Sequence, residues 1–346
     1  MVATVTIKDI ARVVGVSSST VARALNDNPH ISDPTKVKVR EAARQLGYVV
    51  HSPARLMRGE ASTVIGLTVP DVENDFYATL AHAVAEACGE AGFQLMLSVT
   101  EDDPEREYEH LRALVGAHAA GAVIVPASES SPALHALLQR LPSVQLIRHL
   151  TSIDSDWFAI DDERGIREAT EHLLALGHRK IAYIGAASSL STGQDRIKGY
   201  RLALAEKGIA FRDDLVALGA PRASFAREAF HGLYKARKPT AVVSGGSQIT
   251  VGVLQAIAEA GLSVPGQLSF VAYNDSPLYE SWNPPLTAIG LPVRDIALAG
   301  SAALIRRIRA LAKSRHEAVA PAIRPQSALY LPRLNVRRST DRIAKE

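Results

Sequence analysis

The sequence contains one cysteine, no long apolar run and little net charge, and each of these scarcities excludes a class of protein. Cys88 has no partner for an internal disulfide, and no cysteine or histidine group has zinc-site spacing, so we expect neither metal nor cofactor. No apolar stretch approaches the roughly 18 residues of a membrane-spanning helix, and the N-terminus lacks a signal-peptide pattern. We therefore expect a soluble, cytoplasmic protein.

The small net charge of +3 conceals an uneven distribution of charged residues. Residues 1–60 contain nine lysines and arginines against five acids, whereas the rest of the chain carries 30 basic and 31 acidic residues. A positive first segment is typical of a module that binds nucleic-acid phosphates. The chain of 346 residues, 47% of them hydrophobic, is long enough for two or three domains.

The stretch TIKDIARVVGVSSSTVARALN, residues 6–26, has the pattern of two short helices joined by a tight turn. Thr6 and Asp9 form a capping-box variant at the start of the first helix, which we expect to end at Gly15. Ser17 is placed to cap the second helix. The pattern predicts a helix-turn-helix unit.

The outward side of the second predicted helix carries Ser18, Ser19 and Arg23. Short hydroxyls allow the backbone to approach base edges, and arginine can donate to guanine O6 and N7. A solvated, serine-rich helix start is the alternative interpretation. A third helix, capped by Ser32 and ended by Gly47, would complete a small three-helix domain.

Residues 52–62, SPARLMRGEAS, predict a helix of at most two turns, which is marginal alone in water. We expect it to order only on DNA or beside a second copy. Leu56 and Met57, flanked by Arg55 and Arg58, suit an apolar wedge in the minor groove with cations on adjacent phosphates. An ordinary linker is the alternative.

The segments TIKDIARVVGVSSSTVARALN, ISDPTKVKVREAARQLGY and ARLMRG resemble the lactose-repressor family of bacterial transcription regulators. The resemblance continues more loosely to near Arg338. It implies a homodimer that binds a pseudo-palindromic, double-stranded DNA operator and is associated with the nucleoid when bound. It does not distinguish a dimer from a tetramer. The residues it assigns are Ser18, Ser19 and Arg23 to the major groove, Leu56 and Met57 to the minor groove, and Thr6, Ser17, Thr20, Asn26 and Arg55 to phosphates.

Two residues depart from the family's pattern. Ala22 stands where serine is usual, so we expect one phosphate contact fewer. Met57 replaces the usual leucine, which predicts a wedge of similar volume and greater flexibility.

From Thr63 onward, short apolar runs alternate with amphipathic segments, which predicts parallel sheets with helical crossovers. The predicted fold class is α+α/β: an N-terminal helix-turn-helix three-helix domain with a hinge helix, followed by two doubly wound α/β lobes. The predicted strands are 64–69, 93–98, 122–125, 144–147 and 157–160, then 181–184, 241–244 and 268–273. The predicted helices start near 76, 104 and 132, then span 164–176, 194–207 and 248–260.

The segments LGHRKIAYIG, RIKGYRLAL, PTAVVSGG and NPPLTAIGLP resemble the family's effector domain, which shares its fold with periplasmic sugar-binding proteins. The resemblance implies three chain crossings between lobes, with a helix from Pro292 to Leu311 returning to the first lobe. It also implies dimerisation through the lobes, with apolar surface from the Phe76 helix and its neighbours. The expected domains are 1–50, a hinge at 51–62, a first lobe of 63–161 plus about 292–325, a second of 162–291 plus about 326–340, and a tail at 341–346.

A small-molecule effector is expected in the cleft between the lobes, at the carboxyl ends of the strands. Arg148 lies at or next to a position where sugar-responsive members carry an acid, Gly246 and Ser247 replace an Asn-Asp pair, and Asn274 replaces Asp. These changes predict an anionic effector, such as a sugar acid. The alternative interpretation is that Phe76 and Tyr77 only pack a helix and that Arg196 is an ordinary surface arginine. The residues assigned to the effector by resemblance are Phe76, Tyr77, Arg148, Thr192, Arg196, Ser247, Asn274 and Asp275.

No catalytic constellation emerges from the sequence, so we predict a protein that is not an enzyme. We expect Asp161 and Asp162 to begin a helix and His178 to pack or cap a helix end, and GAASSLSTG lacks the lysine of a phosphate loop. Two alternatives are a two-lobed solute receptor, which would need an export signal, and a DNA-tethered enzyme. Neither fits as well, because the receptor leaves the first 60 residues unexplained and the enzyme lacks a catalytic set.

Overall fold

A computed structural model describes residues 5–48, 62–127, 131–314 and 324–343. The chain separates into two compact units, Met1–Ser62 and Thr63–Glu346. The predicted hinge helix, with Arg55, Leu56, Met57 and Arg58, lies outside the described residues. Within the described ranges, no helix is long and apolar enough to cross a membrane.

The first unit is the predicted three-helix domain. Its helices are α1 (Ile7–Val14), α2 (Ser18–Leu25) and α3 (Asp33–Gln45). Gly15 ends α1 in the left-handed conformation, with φ of 73°, as the sequence predicts. The three helices share one small core, made of Ile10, Ala11, Val21, Ala24, Val39, Ala42 and Ala43.

The second unit begins with a lobe built on a parallel six-stranded sheet. The order of its strands is β11-β5-β4-β3-β1-β2, where β11 (Ser327–Tyr330) is an edge strand from near the end of the chain. Helices cover both faces of the sheet, which buries the apolar strands from both sides. The elements are β1 (Val64–Val69), α4 (Asp75–Glu90), β2 (Gln94–Val99), α5 (Pro104–Gly116), β3 (Gly121–Ile124), α6 (Pro132–Leu138), β4 (Ser143–Leu146) and β5 (Asp156–Ile160).

The second lobe also has a six-stranded sheet, in the order β12-β10-β9-β8-β6-β7, which is parallel except for the edge strand β12 (Arg333–Asn335), antiparallel to β10. The sequence analysis did not predict four of its elements, at Val216–Gly219, Ala223–Arg237, Pro277–Ser281 and Thr287–Gly290. In the second of these, Ala226 and Phe230 mark the buried side at helical spacing. The elements are α7 (Asp162–Ala175), β6 (Ile181–Ala186), α8 (Ser191–Glu206), β7 (Val216–Gly219), α9 (Ala223–Arg237), β8 (Ala241–Gly245), α10 (Ser247–Glu259), β9 (Ser269–Tyr273), α11 (Pro277–Ser281) and β10 (Thr287–Gly290).

The chain crosses between the lobes three times, as the resemblance implies. Helix α12 (Val293–Ser314) returns to the first lobe and packs on α4 and the first sheet. Strand β11 (Ser327–Tyr330) then pairs with β5, and β12 (Arg333–Asn335) pairs with β10. The lobe boundary expected near residue 325 is therefore wrong, because β11 completes the first sheet and the crossing follows Tyr330.

Candidate DNA-reading surface and interlobe cleft

The start of α2 presents hydroxyl groups to solvent. Ser17 caps the helix by accepting a hydrogen bond of 3.1 Å from the Thr20 amide, and its Oγ lies 2.8 Å from the hydroxyls of Ser19 and Thr20. Ser18 and Ser19 are exposed. This arrangement leaves short polar side chains beside the outward-facing amides of a helix N-terminus, which suits close approach to base edges and phosphates.

Arg23 and Asn26 are exposed further along α2, and Arg23 forms no ion pair with any described residue. By contrast, Lys36 and Arg40 contact Asp27 at 3.1 and 2.9 Å. The hydrogen bond from Lys36 lowers the pKa of Asp27. The positive charge counted from the sequence is therefore partly compensated inside the unit, whereas that of Arg23 remains free for a partner.

Thr6, predicted to contact a phosphate, is already engaged at the start of α1. Its amide and its hydroxyl both donate to Asp9 Oδ2, at 2.9 and 2.7 Å. These bonds lower the pKa of the Asp9 carboxyl. A phosphate at this position would have to replace the hydroxyl bond.

The cleft of the second unit contains a cavity of about 480 Å³. It joins the carboxyl ends of strands from both sheets, where sequence reasoning expects the effector. Six of the eight predicted effector residues line it: Phe76, Tyr77, Arg148, Thr192, Arg196 and Ser247. Asn274 and Asp275 do not belong to the lining.

Arg148 lies at the floor of the cleft with 6% of its surface exposed. Asp102, which follows β2, binds its guanidinium bidentately, with Nη2 at 3.3 Å from Oδ2 and a close Nη1 to Oδ1 contact. Nη1 also donates to the Pro126 carbonyl at 3.3 Å. Arg148 therefore already has a carboxylate of this chain as its partner, which the sequence did not indicate, and the anionic effector stays a prediction.

Arg196, on α8, is the buried arginine that the second lobe contributes to the cavity. Its Nη2 donates to Asp162 Oδ2 at 3.1 Å, its Nη1 donates to the Gly245 carbonyl at 3.0 Å, and its guanidinium stacks 4.1 Å above the Tyr273 ring. The Tyr273 hydroxyl also donates to Asp162. Burial is the largest influence and disfavours the charge of Arg196, but Asp162, Tyr273 and Tyr183 together raise its pKa above the ordinary value. Asp162, predicted only to favour a helix start, is in fact the buried partner of this arginine.

Phe76 and Tyr77 occupy the first turn of α4, which Asn74 caps by accepting from the Phe76 amide at 3.2 Å. Their rings meet edge to face, with centroids 5.0 Å apart. Both residues are buried and line the cavity, so each offers only a small part of its surface to a ligand.

Asn274 and Asp275 have other partners. Asn274 reaches across the cleft and donates to Asp75 Oδ1 at 3.3 Å. Asp275 accepts from both Nη atoms of Arg337, at 2.7 and 2.9 Å, and from Asn335 at 2.6 Å. Asn274 therefore bridges the lobes, and Asp275 anchors the segment that contains β12.

His178 packs as the sequence predicts. It is buried, and its ring nitrogens contact Thr240 Oγ1 at 2.9 Å, Ser269 Oγ at 3.1 Å and the Asp341 carbonyl at 3.0 Å. Burial lowers its pKa, which favours the neutral ring. The residue ties the chain's last described segment to the second sheet.

Several cavity residues were not predicted from the sequence, among them the charged residues Asp102 and Arg222. Asp102 follows the carboxyl end of β2, a location that could have signalled its role. Arg222 precedes α9 on the opposite lobe, is exposed, and forms no ion pair with the described residues. It was missed because α9 itself was missed.

Comparisons with known proteins agree with this architecture. The model of bacterial regulatory proteins of the lacI family matches residues 6–50, and that of the periplasmic binding protein-like domain matches residues 170–340. The transcriptional regulator DegA of Bacillus subtilis is 30% identical over 97% of this chain and 98% of its own. GalR of Escherichia coli is 32% identical over 84% of this chain and 86% of its own.

Solved structures show the same fold. A lac repressor dimer bound to operator and an anti-inducer has a TM-score of 0.80 at 23% identity, covering 98% of this chain and 100% of that one. The CelR regulator in complex with cellobiose has a TM-score of 0.71 at 26% identity, covering 97% and 99%. The predicted fold class is confirmed for the helix-turn-helix domain and the two α/β lobes, whereas the hinge helix lies outside the described residues. From the helix-turn-helix unit, the two lobes and these relatives together, the chain belongs to the lacI family of bacterial regulatory proteins and is a DNA-binding transcriptional regulator, not an enzyme.

Proposed function

We propose that this regulator represses transcription by binding a pseudo-palindromic operator as a homodimer, and that a small, hydroxyl-rich effector in the interlobe cavity controls the binding. The observation that carries the proposal is that six of the residues assigned to the effector by resemblance, three from each lobe, line one cavity. Such an effector acts by binding two arrangements of the lobes with different affinity.

Arg23 is the proposed base-reading residue, since it is exposed on α2 and has no carboxylate partner among the described residues. Arg23→Ala is expected to cost about 1 to 3 kcal/mol of operator binding and to relax base preference at one symmetric position. Selection of binding sites from random DNA measures both effects. Arg12→Ala removes the same charge from α1, where Arg12 pairs with Asp9, and should leave the selected sequence unchanged. An unchanged motif with Arg23→Ala would contradict the role.

The homodimer is supported by exposed apolar residues on both lobes. Met96 and Leu97 are exposed on the edge strand β2, and Leu278 and Trp282 are exposed at α11. Phe76 itself is buried in the core, so the apolar surface expected around its helix would come from exposed residues nearby, such as those of β2. Sedimentation equilibrium of a Leu97→Lys variant should show weakened self-association, and an unaltered dimer would count against this surface.

The effector class follows from how the cleft's buried charges are compensated. Arg148 pairs with Asp102 and Arg196 pairs with Asp162, so neither buried arginine brings much net charge to the cleft. Hydroxyl groups can bond to both Arg148 and Asp102, which line the cavity, whereas an anion would meet a carboxylate beside Arg148. Arg222, which forms no ion pair with the described residues, favours the anionic effector predicted from Arg148, Gly246, Ser247 and Asn274.

A comparison of neutral sugars with their acids tests the effector class. Isothermal titration calorimetry should give binding of a neutral sugar that weakens in Arg148→Ala, because the variant removes donors from the cavity floor. The relative that was solved with cellobiose gives a neutral sugar as a first compound to try. Binding of acids alone would overturn the neutral class.

A further inference from the structure

The two buried arginines of the cleft differ in where their partner carboxylates lie relative to the cavity. Asp162, the partner of Arg196, is 2% exposed and does not line the cavity. The Asp102 side chain is 27% exposed and lines the cavity together with Arg148. Asp162 therefore supports its arginine from behind, whereas Asp102 stands on the side from which a ligand arrives.

The backbone fixes Asp102 in this place. The buried Thr100 donates its amide to the Val69 carbonyl at 2.9 Å, and Asp103 caps α5 by accepting from the Glu105 amide at 2.9 Å. Between these anchors, Glu101 and Asp102 adopt φ of 55° and 60°. Side-chain-bearing residues rarely adopt this left-handed region, so two in succession persist only where the surroundings hold them. The carboxylate is held against Arg148 by the turn itself.

We propose that Asp102 is a specificity-determining residue, whose carboxylate occupies the face of Arg148 that a ligand carboxylate or phosphate would take. The cleft consequently binds ligands through hydroxyls and rejects anions. This inference rests on the proposed effector role of the cavity. A guanidinium binds carboxylates and oxyanions with the same bidentate geometry, so Asp102 and an anionic ligand compete for one set of donors. The third bond of Arg148, to the Pro126 carbonyl, keeps the guanidinium from turning toward another anion.

The neutral amide provides the variant that tests this competition. Asp102→Asn removes the charge, keeps the shape, and suits a left-handed residue better than most side chains. It leaves Arg148 without its carboxylate, so the cleft should gain an anion site. If Asp102→Asn does not fold, Asp102→Gly tests the same competition, because glycine also adopts a positive φ readily.

Glu107 sets the pH of the experiment. It is fully buried on α5, and both of its carboxyl oxygens lie 3.4 Å from the Ala127 amide, next to the Pro126 carbonyl that Arg148 contacts. Burial raises its pKa to about 7. Once Asp102 is neutral, an ionised Glu107 could compensate Arg148 in its place. Because Asp102 itself helps to raise the Glu107 pKa and Arg148 lowers it, this pKa should fall in Asp102→Asn. Measurements at about pH 5 therefore favour protonated Glu107 while sulfate stays fully charged.

Inorganic sulfate is the probe, and thermal unfolding at constant ionic strength is the readout. We expect Asp102→Asn to gain a saturable stabilisation whose apparent Kd is about tenfold or more below that of the unaltered protein. Asp102→Asn combined with Arg148→Gln should lose this gain. Asp71→Asn removes an equal charge from the same cavity wall without uncovering Arg148, and should not gain it.

Equal sulfate binding by the unaltered protein and Asp102→Asn would overturn the proposal, and so would an equal gain in Asp71→Asn. The assay needs neither operator nor effector, so its outcome is separable from the proposed function. A protein that gains sulfate binding in Asp102→Asn but binds no sugar would retain the Asp102 role and lose the effector role. A protein that binds a neutral sugar but gains no sulfate binding in Asp102→Asn would retain the effector role and lose the Asp102 role.

Discussion

The two lobes repeat one topology but compensate their cleft arginines differently. In the second lobe, Asp162 is sealed behind Arg196, and the Tyr273 hydroxyl supplies a further hydrogen bond. In the first lobe, Asp102 closes over Arg148 from a turn at the cavity surface. The same pair of residue types thus serves as a permanent internal support in one lobe and as part of the ligand-facing wall in the other.

The largest expected effect comes from removing the carboxylate charge from each arginine–aspartate pair in turn. Asp162→Asn leaves a buried guanidinium uncompensated and should lower the free energy of unfolding of the second lobe by about 3 to 5 kcal/mol. Asp102→Asn should cost less, about 1 to 2 kcal/mol, since water reaches that pair. Urea unfolding followed by tryptophan fluorescence separates the lobes, because Trp157 lies in the first and Trp282 in the second. Phenylalanine at the other tryptophan isolates each signal, and equal losses would contradict the comparison.

A second test concerns Glu107, a buried first-lobe carboxyl near Arg148. Burial raises its folded-state pKa to about 7 from the ordinary value of 4.5, so the folded protein holds the proton more tightly than the unfolded chain. Stability from this group is complete below about pH 4.5 and is lost as pH rises to about 7, with a total on the order of 3 kcal/mol.

The Glu107→Gln variant should flatten this part of the pH profile. Denaturant midpoints between pH 4.5 and 8, with the first lobe followed through Trp157, provide the measurement. A slope that survives in the variant would assign the pH dependence to another group.

The smallest expected effect concerns the contacts between the lobes. The His149 amide donates to the Ser191 hydroxyl across the cleft at 3.3 Å, and the His149 ring stacks on Trp157 with centroids 4.3 Å apart. Ser191→Ala should destabilise this lobe arrangement by about 1 kcal/mol, because one intramolecular hydrogen bond is lost. Hydrogen exchange at the His149 amide should accelerate several-fold, and an unchanged rate would show that the bond does not hold the lobes.

The sequence predicted regular elements better than charge pairing, for a physical reason. Apolar periodicity identified β1 with its bounds and the starts of α5 and α6 at Pro104 and Pro132, since burial and capping are local signals. The partners of Arg148 and Arg196 lie 46 and 34 residues away, and only the folded sheets bring them together. An arginine in a cleft was therefore recognisable from the chain, but its charge compensation was not.

The last crossing between the lobes has a consequence for synthesis of the protein. Strand β11 completes the first sheet and β12 the second, and the two are only a few residues apart near the C-terminus. The first sheet therefore has all its strands only once residue 330 has left the ribosome, and the second only after residue 335. A chain that stops shortly before residue 327 lacks an edge strand of each sheet, so one C-terminal truncation affects both lobes at once.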